Sequence, residues 1–290
     1  MYPSIRDHLV LWGWPSLKEG LDALGFDALE MEFARDNSVL AIKPSTDGQR
    51  FKLDNPAELN AFRGQLEANK VRVSALLMAN DYGSENFDGE VAWTIAAIRA
   101  ADALGIPAVR IDAMMHGEGA DAVEKNIRVF SEAMHGVLGA TSDSKVDLGI
   151  ENHGYQGNRV DFLDEIFARV GSSRLGLTID TGNFYWYGHP LSKMYEIIEH
   201  FAPYCKHTHA KNIKYPEDKR EIQREVGWEY AKYVSTVPDG DVDHARVVRI
   251  LKAAGYDRDL CLEDEALGRW EGDARRAVML RDADYVRSIL

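Results

Sequence analysis

Cysteine is nearly missing from this chain: Cys205 and Cys261 are the only two in 290 residues, and they make no C-x-x-C pair. That argues against a disulfide scaffold and against a thiolate-bound structural zinc. A reducing, cytoplasmic setting is the expectation. Long apolar runs are also missing, since no segment approaches the roughly 18 residues that a membrane-spanning helix needs. The opening MYPSIRDHLVLWGWP lacks a basic leader followed by a long apolar core, so no signal peptide and no membrane attachment are expected. Positive charge is scarce: 34 Lys and Arg stand against 47 Asp and Glu, a formal net charge of −13. A surface of that sign repels phosphate backbones and argues against a nucleic-acid partner. No G-x-G-x-x-G follows the first strand candidate, which weakens the case for an open dinucleotide-binding sheet.

What is present is a repeated local layout. LDALGFDALEME (21–32), ADALGIPAVRID (101–112) and LKAAGYDRDLCLE (251–263) each run from a helical ending through Gly to a short strand that stops on an acid. Glycine just past a helix supplies a left-handed cap. Five further strand candidates are HLVLWGW (8–14), VRVSALLMAN (71–80), VDLGIENHG (146–154), LGLTIDTGN (175–183) and CKHTHAKN (205–212). Helical spacing falls between them at about 16–24, 56–69, 87–104, 120–140, 160–170, 190–202 and 243–254, with a last helix at about 273–289. Eight strands alternating with helices predict a closed (β/α)8 barrel, a TIM barrel formed by residues 1–290 as one domain with a C-terminal helix. Two long connections, about 33–55 and 213–241, fall where strands end, the place for a lid or a solvated excursion.

In such a barrel the carboxyl ends of the strands converge on one mouth. Alternation assigns faces. Leu148 and Ile150 point outward, so Glu151 points in; Leu177 and Ile179 point outward, so Asp180 points in; Leu260 and Leu262 point outward, so Glu263 points in. In CKHTHAKN, His207, His209 and Lys211 share the inner face, which leaves Lys206 outside without an evident reason. Three inward carboxylates and one imidazole at one depth repel one another unless a cation joins them. Their chemistry suits one divalent ion, Mn2+ first, with Mg2+, Co2+ or Zn2+ as alternatives.

ENHG, DTGN, HxHxKN and LEDE, in this order over Val146–Glu265, resemble the xylose isomerase-like TIM-barrel superfamily of sugar-phosphate isomerases and epimerases. The resemblance implies that Glu151, Asp180, His209 and Glu263 bind the metal, and that Glu151 and Glu263 also serve as catalytic acid and base. Ketose epimerases of the superfamily carry a His three residues after the strand-six Asp and an Arg six after the strand-seven His. Here those positions are Asn183 and Tyr215, which speaks against a free ketohexose epimerase. DTGN and HxK are closer to the less characterised isomerase/epimerase and inosose dehydratase-like branches.

The expected activity is a metal-dependent sugar, keto-sugar or sugar-phosphate isomerase or epimerase, working through a metal-bound enediolate with the two glutamates exchanging the proton. His153, Lys211, Asn183, His116 and Glu32 are the expected substrate contacts. For His116 and Glu32, as for Asn80 and Asp112, loop capping is the competing role. His207 is either a satisfied core histidine or an orienter of the metal ligand. Trp12, Trp14, Phe184, Tyr185 and Trp186 are candidates for aromatic walls, or plain packing. The partner is a small-molecule sugar, with homo-oligomerisation compatible with the final helix. Three rivals share the fold: a lyase of inosose or 3-keto-glycoside type, an abasic-site endonuclease, and a binding protein with a degenerate site. The acidic charge and single-metal donor set speak against the nuclease, and the paired glutamates against the binder.

Overall fold

The structure is a computed structural model that describes residues 1–115 and 122–290. Its barrel strands are β1 (Tyr2–Ile5), β2 (Ala28–Glu32), β3 (Arg72–Leu77), β4 (Ala108–Ile111), β5 (Asp147–Glu151), β6 (Leu175–Asp180), β7 (Cys205–His209) and β8 (Asp259–Leu262). β2 through β7 pair in parallel in chain order. β1 pairs in parallel with β8, Tyr2 opposite Asp259 through Ile5 opposite Leu262. Parallel bridges Arg6–Glu30 and Ala210–Leu262 complete the circle on either side of that pair. The result is the expected (β/α)8 barrel.

Seven of the eight strands lie where alternation predicts them, and the first does not. Residues 8–14 are not a strand: Asp7–Gly13 is a helix, and the strand is the four-residue YPSI before it. The apolar positions explain the difference. Leu9, Val10 and Gly13 are buried while Leu11 and Trp12 are exposed, a one-sided helical spacing that a run of large residues conceals. The helices agree closely with expectation, among them Leu17–Leu24, Pro56–Asn69, Phe87–Leu104, Val160–Val170, Leu191–Phe201, His244–Ala253 and the C-terminal Gly272–Ile289. Gly25, Gly105 and Gly255 after three of them take φ of +68°, +70° and +90°, as the repeated helix–Gly–strand layout requires.

The outward-facing Leu148, Ile150, Leu177, Ile179, Leu260 and Leu262 are buried beneath the helices. The inner face is small low down and polar above. A Cβ at Gly149 would meet Thr178 Oγ1 at 2.4 Å, so glycine alone fits there without movement. Lys206 also finds its reason: its ammonium donates to the Ser173 carbonyl at 2.8 Å and lies 3.6 Å from Asp147, at the amino ends of the strands. The 33–55 connection folds back as an antiparallel pair, Ser38–Leu40 with Arg50–Lys52. The 213–241 connection is pinned by Arg224, whose guanidinium lies 4.4 Å from the ring centres of both Tyr185 and Tyr215 and donates to the Tyr185 and His189 carbonyls. No helix among the described residues is long and apolar enough to cross a membrane.

Candidate active site at the carboxyl ends of the strands

Glu151, Asp180 and His209 are the last residues of β5, β6 and β7, and Glu263 directly follows β8. All four are buried, and one donor atom from each lies within 4.8 Å of the others. Three of these side chains hold an atom that is buried and unsatisfied: Asp180 Oδ2, His209 Nδ1 and Glu263 Oε2. His209 Nδ1 stands 3.1 Å from Glu263 Oε2, and Lys211 Nζ 3.1 Å from Asp180 Oδ2, yet none of the three atoms is in hydrogen-bond alignment. Leaving polar atoms unpaired away from water is costly. Three lone-pair donors that turn to one another instead of to partners fit a shared divalent cation. Carboxylate oxygen and imidazole nitrogen are the donor types that Mn2+, Mg2+, Co2+ and Zn2+ accept.

The imidazole is held from behind. His209 Nε2 lies 3.0 Å from both oxygens of Glu30, which leaves Nδ1 facing the other three donors. Glu30 also meets His207 Nε2 at 2.9 Å, and His207 Nδ1 meets Asp259 at 2.9 Å. Tyr256 donates its hydroxyl to Asp259 at 3.0 Å. A carboxylate on the far nitrogen of a ligating histidine fixes its ring and its tautomer. Glu30, His207, His209 and Cys261 could also be read as a second donor group. Its oxygens and nitrogens already hydrogen-bond one another, so it supports His209 and leaves no open position. His207 is thus both satisfied and orienting. Glu30 itself escaped the sequence reading, which chose Glu32 because it ends the strand. Alternation puts the two on one face, and the deeper one makes the contacts. Glu30→Gln should weaken metal retention by about 10- to 100-fold with the fold intact; unchanged affinity in a metal-competition titration would remove Glu30 from this role.

Two arginines that alternation did not single out clamp the glutamates. Arg6 binds Glu263 Oε1, leaving Oε2 free toward the cluster, and its Nε lies 3.5 Å from Glu30. Arg110 grips Glu151, meets Asp112 at 2.9 Å and donates to the Met78 carbonyl at 2.7 Å. Burial alone would raise the pKa of these carboxyls, but charge overrides it. Arg110 and His209 hold Glu151 well below the ordinary range. His209, Lys211 and Arg6 do the same for Glu263. For Asp180 burial prevails over Lys211, and its carboxyl is pushed up to about 7.

Above the cluster lies a cavity of about 190 Å³ lined by His153, Asn183, Trp186, Lys211, Tyr230 and Glu265. It is smaller than the roughly 300–1,000 Å³ clefts that take drug-sized ligands, and its lining residues carry hydrogen-bonding groups, so it suits a small hydroxylated molecule. Three of the residues singled out as substrate contacts therefore line one space. His153 is anchored by Nδ1 to Asp112 at 2.9 Å, and Asn183 donates to Glu151 at 3.2 Å. Glu32 does not join them; it is exposed at the end of β2. His116 lies outside the described residues. Asn80 brackets the Asp112 backbone, a loop-capping role. Of the five candidate aromatic walls only Trp186 reaches the cavity. Phe184 and Tyr185 are core, Trp12 packs edge-on against His8 on the outside, and Trp14 lines a separate cleft. Tyr230, from the 213–241 connection, lines the cavity and donates its hydroxyl to Glu265.

Comparison with known proteins agrees with this architecture. A search among curated protein sequences finds no significant match. Among solved structures, a D-tagatose 3-epimerase-like protein superposes with a TM-score of 0.67 at 17% identity, covering 99% of both chains. The IOLI protein with a zinc atom gives 0.69 at 14% identity, over 100% of this chain and 96% of that one. Mannonate dehydratase from Streptococcus suis serotype 2 gives 0.67 at 13%, over 100% and 93%. A family profile described as xylose isomerase-like TIM barrel matches residues 20–288, nearly the whole chain. The protein belongs to the xylose isomerase-like TIM barrel family.

Proposed function

We propose that this chain, acting as one domain, is a divalent-metal-dependent isomerase or epimerase of a small sugar or keto-sugar. The observation that carries the reading is the set of three unsatisfied donor atoms on Asp180, His209 and Glu263 beside a clamped Glu151. Those four residues would hold the ion, with Mn2+ favoured over Mg2+, Co2+ or Zn2+. When bound, it would supply electrophilic polarisation of a substrate carbonyl and its neighbouring hydroxyl. Glu151, fixed by Arg110 and Asn183, would take the proton from the substrate carbon beside the carbonyl. Glu263, fixed by Arg6 and three strands further round the barrel, would return a proton drawn from solvent to it or to the adjacent carbon, while Glu151 releases its own proton to solvent. Arg110 and His209 hold Glu151 ionised, which suits a base that must be ready before substrate arrives. His153, Asn183 and Lys211 position hydroxyls. The likeness to a D-tagatose 3-epimerase-like protein and to a zinc-containing structure supports the class of chemistry. Two buried free thiols suit work in the reducing cytoplasm.

A lyase acting through the same first step is the alternative reading, and one observation speaks against a ketose epimerase. Tyr215, at the position where ketose epimerases carry Arg, is 1% exposed and packs against Tyr185, Trp228 and Tyr233. It cannot reach a sugar. Solvent deuterium uptake without loss of water distinguishes the isomerase from the lyase. The deciding test of the site is metal analysis of the purified protein beside an E151Q/E263Q double variant. About one equivalent of metal in the wild type, lost in the variant, is expected; a wild type that retains none under any loading condition would withdraw the reading.

A further inference from the structure

We propose that the substrate of this site is uncharged, a neutral keto-sugar or cyclic polyol ketone, and that Glu265 enforces this by occupying Lys211. The inference rests on the site reading above and deepens it. A phosphate or carboxylate group on a substrate needs a cation or a set of free N–H donors to replace its water. Among the described residues, Lys211 is the only Lys or Arg that lines the cavity. The undescribed residues 116–121 read HGEGAD and contain neither.

Lys211 is held by Glu265. Its ammonium lies 2.7 Å from Glu265 and 3.3 Å from the Asn183 side-chain oxygen. Asp180 and Glu263 stand 3.1 and 3.4 Å away, but their facing oxygens are the unsatisfied atoms of the cluster, so Glu265 is the carboxylate that neutralises the ammonium. The neighbouring backbone donors are spent as well, because Gly182 and Asn183 both give their N–H to Asp180 Oδ1 at 2.8 Å. Arg6 and Arg110 are taken by Glu263, Glu30, Glu151 and Asp112.

Acidic side chains also crowd the floor of the cavity: Asp180 and Glu263 lie below Lys211, and Glu265 stands beside it. Glu265 is the member of this set that a ligand meets first, since its side chain is 42% exposed while Asp180 and Glu263 beneath it are buried. It is held in place by the Tyr230 hydroxyl. Hydroxyl groups, which donate and accept without net charge, can use Glu265, His153 and Asn183 together, with Trp186 beside them.

The test uses the metal-loaded full chain and matched probes: neutral keto-sugars and cyclic polyol ketones, each against its own monophosphate, by calorimetric binding and solvent deuterium exchange. Neutral members should bind at least about tenfold more tightly than their phosphates. Glu265→Gln, which releases Lys211, should shrink that preference at least about tenfold, and adding Lys211→Met should remove the gain. A phosphate that binds or exchanges as well as its parent sugar overturns the proposal. So does a Glu265→Gln variant with an unchanged ratio. Metal content, read on the same samples, separates the two levels. Metal present with anions preferred defeats only this inference, whereas a protein that holds no metal defeats the reading beneath it.

Discussion

Exchanging Glu263 for glutamine is expected to lower turnover by about 10²- to 10⁴-fold, the range for losing a positioned acid or base. Glutamine keeps the shape and the Arg6 contact on one side, but it cannot take or return a proton. Glu151→Gln should cost as much, because its partner cannot supply both steps from one side. The loss should fall on kcat, with KM little changed, provided each variant is assayed with saturating metal so that weakened binding is not mistaken for lost chemistry. Near-normal rates in either variant would end the acid–base assignment, although the metal site could survive it.

Arg110→Met should be the most damaging single change to stability. It leaves Glu151 and Asp112 buried and close together without their common cation. Breaking a buried ion pair on one side costs about 3–5 kcal/mol, far more than losing an exposed surface pair such as Arg169 with Glu165. Urea denaturation of the metal-free protein would show the loss as a lowered midpoint. Added divalent metal should restore part of it, since an ion on Glu151 replaces some of the missing charge and binds only the folded chain. A variant as stable as the wild type would mean that water or rearrangement already compensates these carboxylates.

Much of the site was readable because a strand has period two. Leu148 and Ile150 fix Glu151, Leu177 and Ile179 fix Asp180, and Leu260 and Leu262 fix Glu263, with no reference to the rest of the molecule. The supporting groups were not readable in this way. Arg110 sits inside AVRI, and an inward arginine makes sense only once Glu151 on the next strand is known to face it. Glu30 and Glu32 share one face, and which of them matters depends on where His207 and His209 stand in depth across the barrel. Lys206 looked misplaced because its carbonyl partner, Ser173, is 33 residues away. β1 was missed because four residues starting Tyr-Pro carry almost no pattern, while the helix after them displays large apolar side chains.

The pairing of Arg6 with Glu263 joins residues 257 positions apart, at the seam where β1 meets β8. During synthesis, a chain that has reached β7 holds three of the four donors and has no way to finish the set. The last donor arrives only as β8 docks between β1 and β7, so the event that seals the barrel also completes the site. Closing so long a loop adds little entropic cost per residue, but it puts the step late. Ion uptake should therefore report seam closure rather than partial folding. Amide protection along Tyr2–Ile5 and Asp259–Leu262 should rise when the ion binds and fall first when it is withdrawn.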